Sequence, residues 1–259
     1  MFDRVTYKAN GKLNFKRNYW PCIAVSILLL ILGGGGSGPS FTRKVQNSDL
    51  GQYFSGDPAG AAIFGMALAV LAAIGISVAV IGIVVKLLVG NPYAVGASRF
   101  FMENRFQDVG FGTVKAGFTG NFGNTVLTQF LKDLYIFLWS LLLIIPGIVK
   151  GYAYFAVPYI LAENPNLDHN RVLELSKAMT NGHKADLWVT DLSFILWYLL
   201  GAITIGIVDI FYVNPYVHAT KAEIYASMRQ QALTDGIAAA EELPGFGEEP
   251  FQPQDTPNF

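Results

Sequence analysis

The sequence is poor in charge. Only 14% of its 259 residues are Asp, Glu, Lys or Arg, while 52% are hydrophobic. Soluble domains carry about 25% charged residues, and a chain of this size needs such charge to cover its surface. An ordinary water-soluble domain is therefore excluded, and so is a disordered chain, whose composition runs the other way. Cysteine is nearly absent. Cys22 alone forms no intramolecular disulfide and no cysteine-based zinc site; it reads as a small buried apolar residue. The three histidines, His169, His183 and His218, lack any H-E-x-x-H spacing, so no metal site is expected. Neither sign of charge dominates, and a formal charge of −1 lacks the basic excess of a nucleic-acid partner. The glycines between Gly110 and Gly123 match no nucleotide-binding loop, no G-x-S-x-G element occurs, and no nucleophile has an evident base beside it. Neither catalysis nor a cofactor is expected.

What the chain does have is long apolar runs. Crossing about 30 Å of hydrocarbon takes roughly 20 apolar residues in a helix. The charge-free stretches predict an all-α, polytopic transmembrane bundle of about six spans, near 20–36, 59–88, 130–149, 151–164, 187–204 and 206–224. Residues 1–19 read as a basic cytoplasmic segment, 20–229 as the bundle, and 230–259 as an acidic, Pro-rich disordered tail. The last four spans are short and read as two tight hairpins. The first turns at Pro146-Gly147, where proline breaks a helix and glycine tolerates its end; one bent span over 134–162 is the alternative. The second turns around Ile203–Asp209. With both termini inside, only Arg43, Lys44 and Lys150 lie outside, and the other fifteen of the 18 Lys and Arg lie inside, as short cytoplasmic loops require. Lys12, Lys16 and Arg17 before the apolar run Trp20–Leu32 also suit a signal peptide, although no A-x-A site follows.

Two cytoplasmic-side amphipathic helices are expected outside the hydrocarbon. Asn91-Pro92 would cap one, with Val95, Phe100, Phe101, Met102 and Phe106 laid into lipid. Asp168 would cap the other, with Leu167, Val172, Leu175 and Met179 on one face. The outer stretch Ser37–Asp57 reads as a surface connection, or as a ligand-facing lid. Gly60, Gly65, Gly75 and Gly82 in the second span, and Gly201 and Gly206 in the last hairpin, suggest close helix approach or a hinge.

Ionisable groups inside spans are costly and face protein or water. Three are candidates: Lys150, Asp191 and Asp209. Lys150 could meet an anion or a lipid headgroup, or snorkel to the outer interface. Eighteen residues of helix would separate Asp191 from Asp209 by roughly 27 Å, so they form no single site. Asp191 would pair with Lys184 or Lys177, and Asp209 with Lys150, tying the hairpins together. Glu223 and Lys221 read as interfacial.

One block is distinctive: Trp139-Ser140-Leu141-Leu142-Leu143-Ile144-Ile145-Pro146-Gly147-Ile148-Val149-Lys150, followed by Asp191-Leu192-Ser193-Phe194-Ile195, Trp197 and Asn214-Pro215-Tyr216. Over roughly Lys8–Arg229 the chain resembles an uncharacterised family of integral membrane proteins from Firmicutes, a domain of unknown function. More distantly it is similar to the membrane part of some glycerophosphodiester phosphodiesterases. The resemblance implies a helical bundle in a bacterial plasma membrane, makes Trp139, Pro146, Gly147, Asn214, Pro215 and Tyr216 structural, and transfers no catalytic residue. The expected function is that of a non-enzymatic organiser or regulator that meets the lipid bilayer and binds lipids, a second copy or another membrane protein. A small-solute or ion transporter or channel component is the alternative.

Overall fold

The computed structural model describes residues 2–32 and 58–246, and every regular element among them is helical. Helix α1 (Arg4–Arg17) starts on Asp3, whose carboxylate accepts the backbone N–H groups of Val5 and Thr6. After Asn18 the chain bends by 106° into α2 (Tyr19–Leu32). Helix α3 (Pro58–Val85) continues through a π-turn, Lys86–Gly90, into α4 (Asn91–Glu103). Asn91 therefore does not cap a fresh helix. Its N–H bonds to the Lys86 carbonyl five residues back. A proline inside a helix lacks a donor and clashes with the carbonyl four residues earlier; the widened turn ahead of Pro92 makes room for it. The same device recurs at the π-turn Asp209–Val213, where the Asn214 N–H reaches Asp209 ahead of Pro215. It opens the last helix, α12 (Asn214–Thr234). The repeated Asn-Pro-Tyr is thus a structural repeat, with Tyr93 and Tyr216 both buried behind the proline.

Between them lie α5 (Ala116–Thr119), α6 (Phe122–Leu142), α7 (Ile144–Ala153), α8 (Val157–Glu163), α9 (His169–Met179), α10 (Lys184–Leu192) and α11 (Ile195–Ile203). Helices α6 and α7 form a hairpin, not one bent span. Its turn is the single extended residue Leu143 (φ −157°, ψ 142°), three residues before Pro146. Pro146 sits in the first turn of α7, where helix N–H groups have no partner to lose. Gly147 lies where the two helices meet, and a Cβ there would overlap Ser140. The second hairpin turns through Ile205 (φ 55°) and Gly206 (φ 85°).

The molecule has a packed end and a splayed end. At the packed end α4, α8, α9 and α12 bury Phe100, Met102, Ile160, Leu175 and Tyr225 completely or nearly so. The expected interfacial helix is therefore wrong for α4: Val95, Phe100, Phe101 and Met102 face protein, not lipid. Gly96 and Gly117 let α4 and α5 touch backbone to backbone. Helix α9 begins on Asp168 and buries Val172, Leu175 and Met179. The tail does not begin at residue 230. Helix α12 runs to Thr234, and the chain up to Phe246 folds back with Ala238, Leu243 and Phe246 buried. The rest of the expected tail, and the stretch Ser37–Asp57, lie outside the described residues.

At the splayed end the apolar side chains face outward: Leu141 is 74% exposed, Ile145 76%, Ile203 78% and Ile205 94%. Gly65, Gly75 and Gly82 have nothing within 4 Å of an added Cβ, so they mark no helix contact among the described residues. Burying a large aliphatic side chain is worth about 1.5–3 kcal/mol. Leaving eight such residues in water (Leu141, Leu142, Leu143, Ile144, Ile145, Leu196, Ile203 and Ile205) forgoes about 12–24 kcal/mol, as much as the whole stability of a typical domain. Among the described residues four helices, Gly65–Glu103, Phe122–Leu142, Ile144–Glu163 and Lys184–Ile203, are long and apolar enough to cross a membrane, and the bent pair α1–α2 makes a fifth candidate.

Candidate functional site

Helices α7, α10 and α12 converge on a cavity of about 250 Å³. Its walls are mostly apolar, from Ile148, Phe155, Leu187 and Ile224, and Gly151 leaves it open on one side. One polar group closes it. Asp191 accepts from the Tyr152 hydroxyl at 3.0 Å through Oδ2, and its Oδ1 lies 3.2 Å from Lys221 Nζ. Thr190, also on the wall, donates its hydroxyl to the Asp186 carbonyl at 2.7 Å and so is occupied within its own helix. The ammonium of Lys221 retains two hydrogens beyond the one aimed at Asp191. An apolar pocket ending in a neutral but strongly polar pair suits an amphiphile: a chain along Ile148 and Leu187, and an acceptor-bearing head at Lys221.

Of the candidates read from the sequence, only Asp191 belongs to this cavity. Its partners are Lys221 and Tyr152, not Lys184 or Lys177, because α10 runs beside α7 and α12 and turns its carboxylate toward them. Lys221 is accordingly a site residue. Lys150 does not meet Asp209. Its ammonium lies over the Trp139 ring across the α6–α7 hairpin, 4.9 Å from the centroid. Asp209 lies against Gly201, where no Cβ would fit, and its Oδ1 is buried without a hydrogen-bond partner among the described residues. Pro146 and Gly147 shape the α6–α7 hairpin. Asn214 and Pro215 form the second π-turn, and Tyr216 packs edge-on against Phe194 at 5.1 Å. The histidines stand apart: His218 stacks on Phe101 at 5.5 Å, His183 on Phe2 at 5.7 Å, and His169 lies 3.3 Å from Asp168.

Several polar groups had no signal in the linear spacing. Glu163 accepts from Arg229 Nε at 2.7 Å, Tyr225 Oη at 2.8 Å and the Gly245 N–H at 2.6 Å. Glu223 is buried rather than interfacial and accepts from Arg105 at 3.0 Å and Asn14 at 2.8 Å. Arg171 binds Glu242 through two hydrogen bonds, at 2.6 and 3.0 Å, and this guanidinium holds the Glu242 carboxyl below the usual glutamate range. These pairs join residues 62 to 209 positions apart, which only the fold brings together.

Residues 140–232 match a family described as "Protein of unknown function (DUF975)". The matched stretch carries the cavity, Pro146, Gly147, Lys150, Asp209 and the second Asn-Pro-Tyr, and it begins one residue after Trp139. No curated protein and no solved structure matches the chain.

Proposed function

We propose that this chain is a non-enzymatic, multi-pass membrane protein that holds amphiphiles, a lipid or an apolar segment of a membrane partner, against its packed helical end. The observation that carries it is the cavity between α7, α10 and α12, whose apolar walls end at the Tyr152–Asp191–Lys221 group. The splayed apolar helices around it supply the lipid-facing setting. About six spans, both termini cytoplasmic and a bacterial plasma membrane complete the proposal, supported by the placement of Lys and Arg. A single observation favours a second reading, transport of an ion or small solute: within the last hairpin, a buried Asp209 oxygen has no hydrogen-bond partner among the described residues.

Gly151→Trp tests the first proposal, because its indole would fill the cavity from a position with open space around it. Native mass spectrometry of the full chain released from detergent should show co-purifying lipid on the wild type and a loss of at least one bound lipid in the variant, with unchanged helix content. Equal lipid occupancy in both proteins would refute the proposal. Proton- or cation-coupled uptake into proteoliposomes, abolished by Asp209→Asn, would favour the transport reading instead.

A further inference from the structure

We propose that the polar cluster joining the first π-turn to α6, built from Lys86, Gln129 and Lys132, binds a phosphate group. Two ammonium groups share one carboxylate there: Lys86 Nζ lies 3.0 Å from Asp133 Oδ2, and Lys132 Nζ lies 3.4 Å from Asp133 Oδ1. The cluster therefore carries one positive charge in excess. Lys86 is the most open of the three, with 44% of its side chain exposed against 19% for Lys132, so it faces the way in.

The second observation is a set of buried donors without acceptors. Gln129 is fully buried, and its Oε1 accepts from Lys132 Nζ at 2.5 Å. That bond fixes the orientation of the amide, because its other arm could not face an ammonium. Nε2 is left with two hydrogens and no partner among the described residues, within the width of an amide group of the same ammonium. Thr128 Oγ1 and Asn91 Nδ2 are buried and unpartnered as well. The register brings them to one level. The α3–α4 helix and α6 run antiparallel, and the Lys86–Asp133 pair aligns them. Asn91, five residues beyond Lys86, then stands at the height of Thr128 and Gln129, five and four residues before Asp133. At 1.5 Å per residue the whole group spans about 7 Å, the size of a phosphate with its first ring of donors. A buried donor without an acceptor costs about 1–3 kcal/mol, and a phosphate offers only acceptors and negative charge. It answers both the excess charge and the orphaned N–H groups.

The phosphate could belong to a lipid headgroup or be free inorganic phosphate; the former rests on the proposed lipid-holding role. Full-length protein in a neutral detergent would be offered phosphatidylglycerol, diacylglycerol and inorganic phosphate separately, with bound species read by native mass spectrometry. Retention of phosphatidylglycerol at least tenfold above diacylglycerol identifies a lipid phosphate. Saturable retention of inorganic phosphate, competing with that lipid or binding alone, identifies the free ion. In either case Gln129→Leu and Lys132→Gln should lower retention at least tenfold, and Lys86→Gln several-fold, while Lys150→Gln leaves it unchanged. Gln129→Leu keeps the assignment testable should Lys132→Gln fail to fold. Retention of neither phosphate species, which would leave only ordered water among these donors, overturns the proposal, as does full retention in Gln129→Leu. If lipid still occupies the Tyr152 cavity and is displaced by Gly151→Trp while no phosphate binds here, this site alone falls and the lipid-holding role stands.

Discussion

Replacing Glu163 with alanine should undo the packed end more than any change of similar size. The side chain of Glu163 is 0% exposed and that of Arg229 is 13% exposed. The carboxylate is shared by three donors from two parts of the chain: Arg229 and Tyr225 on α12, and the Gly245 backbone beyond it. Removing it leaves Arg229 buried, with the Leu243 carbonyl at 2.8 Å as the remaining acceptor. Breaking a buried ion pair from one side costs about 3–5 kcal/mol, and the loss of the Glu163 bonds to the Tyr225 hydroxyl and the Gly245 N–H falls within the same cost rather than adding in full. At about 2–4 °C per kcal/mol for a chain of this size, the melting temperature should drop by roughly 6–20 °C. Thermal unfolding of the detergent-purified chain, followed by tryptophan fluorescence, measures it. Glu163→Gln, which keeps the shape and loses the charge, should fall between the two. Because Gly245 and Leu243 are held by the same group, limited proteolysis should also cut residues 235–246 faster in the alanine variant. A drop below about 3 °C with unchanged protection of that segment would refute the reasoning.

Three further outcomes follow from the same geometry. Gly147→Val should destabilise the α6–α7 hairpin by about 1–3 kcal/mol through its overlap with Ser140. Gly75→Ala, with open space around it, should change stability by no more than about 1 kcal/mol, and melting in one detergent compares them. Glu242 is held below its usual range chiefly by the Arg171 hydrogen bond, so its contribution is complete above the ordinary glutamate value of about 4.3 and lost as pH falls through the depressed value. Proteolytic protection of residues 235–246 should stay level from neutral pH down to about 5 and fall in a step below about 4; Glu242→Gln should remove that step, and its persistence would contradict the assignment.

Much of the helical character was legible because the apolar runs are long and almost free of charge. The hairpin at 134–162 is legible too, but its turn lies at Leu143 rather than at the Pro-Gly pair. A Pro-Gly pair signals a break only when the proline lies past the first turn of its helix, and Pro146 does not. Asn91-Pro92 misled for a related reason: the widened turn at Lys86–Gly90 absorbs the proline, so the cap signal sits inside a continuous helix. Spacing reveals the apolar face of α4 but not what covers it, and the cover is protein. Of the cavity, Asp191 could be found as a charge within a long apolar stretch. Tyr152 and Lys221 could not, since they reach it from helices 39 and 30 positions away. Glu163, Glu223 and Glu242 look like solvent charges in the chain and become buried or half-buried partners only through tertiary contacts.

The claim on which all of this depends is that the outward-facing leucines and isoleucines of α3, α6, α7 and α11 lie in hydrocarbon. Fractionation of expressing cells followed by an alkaline carbonate wash tests it most directly. The full-length chain should stay with the membrane pellet and enter solution only with detergent. Recovery of a monodisperse, folded protein from plain aqueous buffer would contradict it.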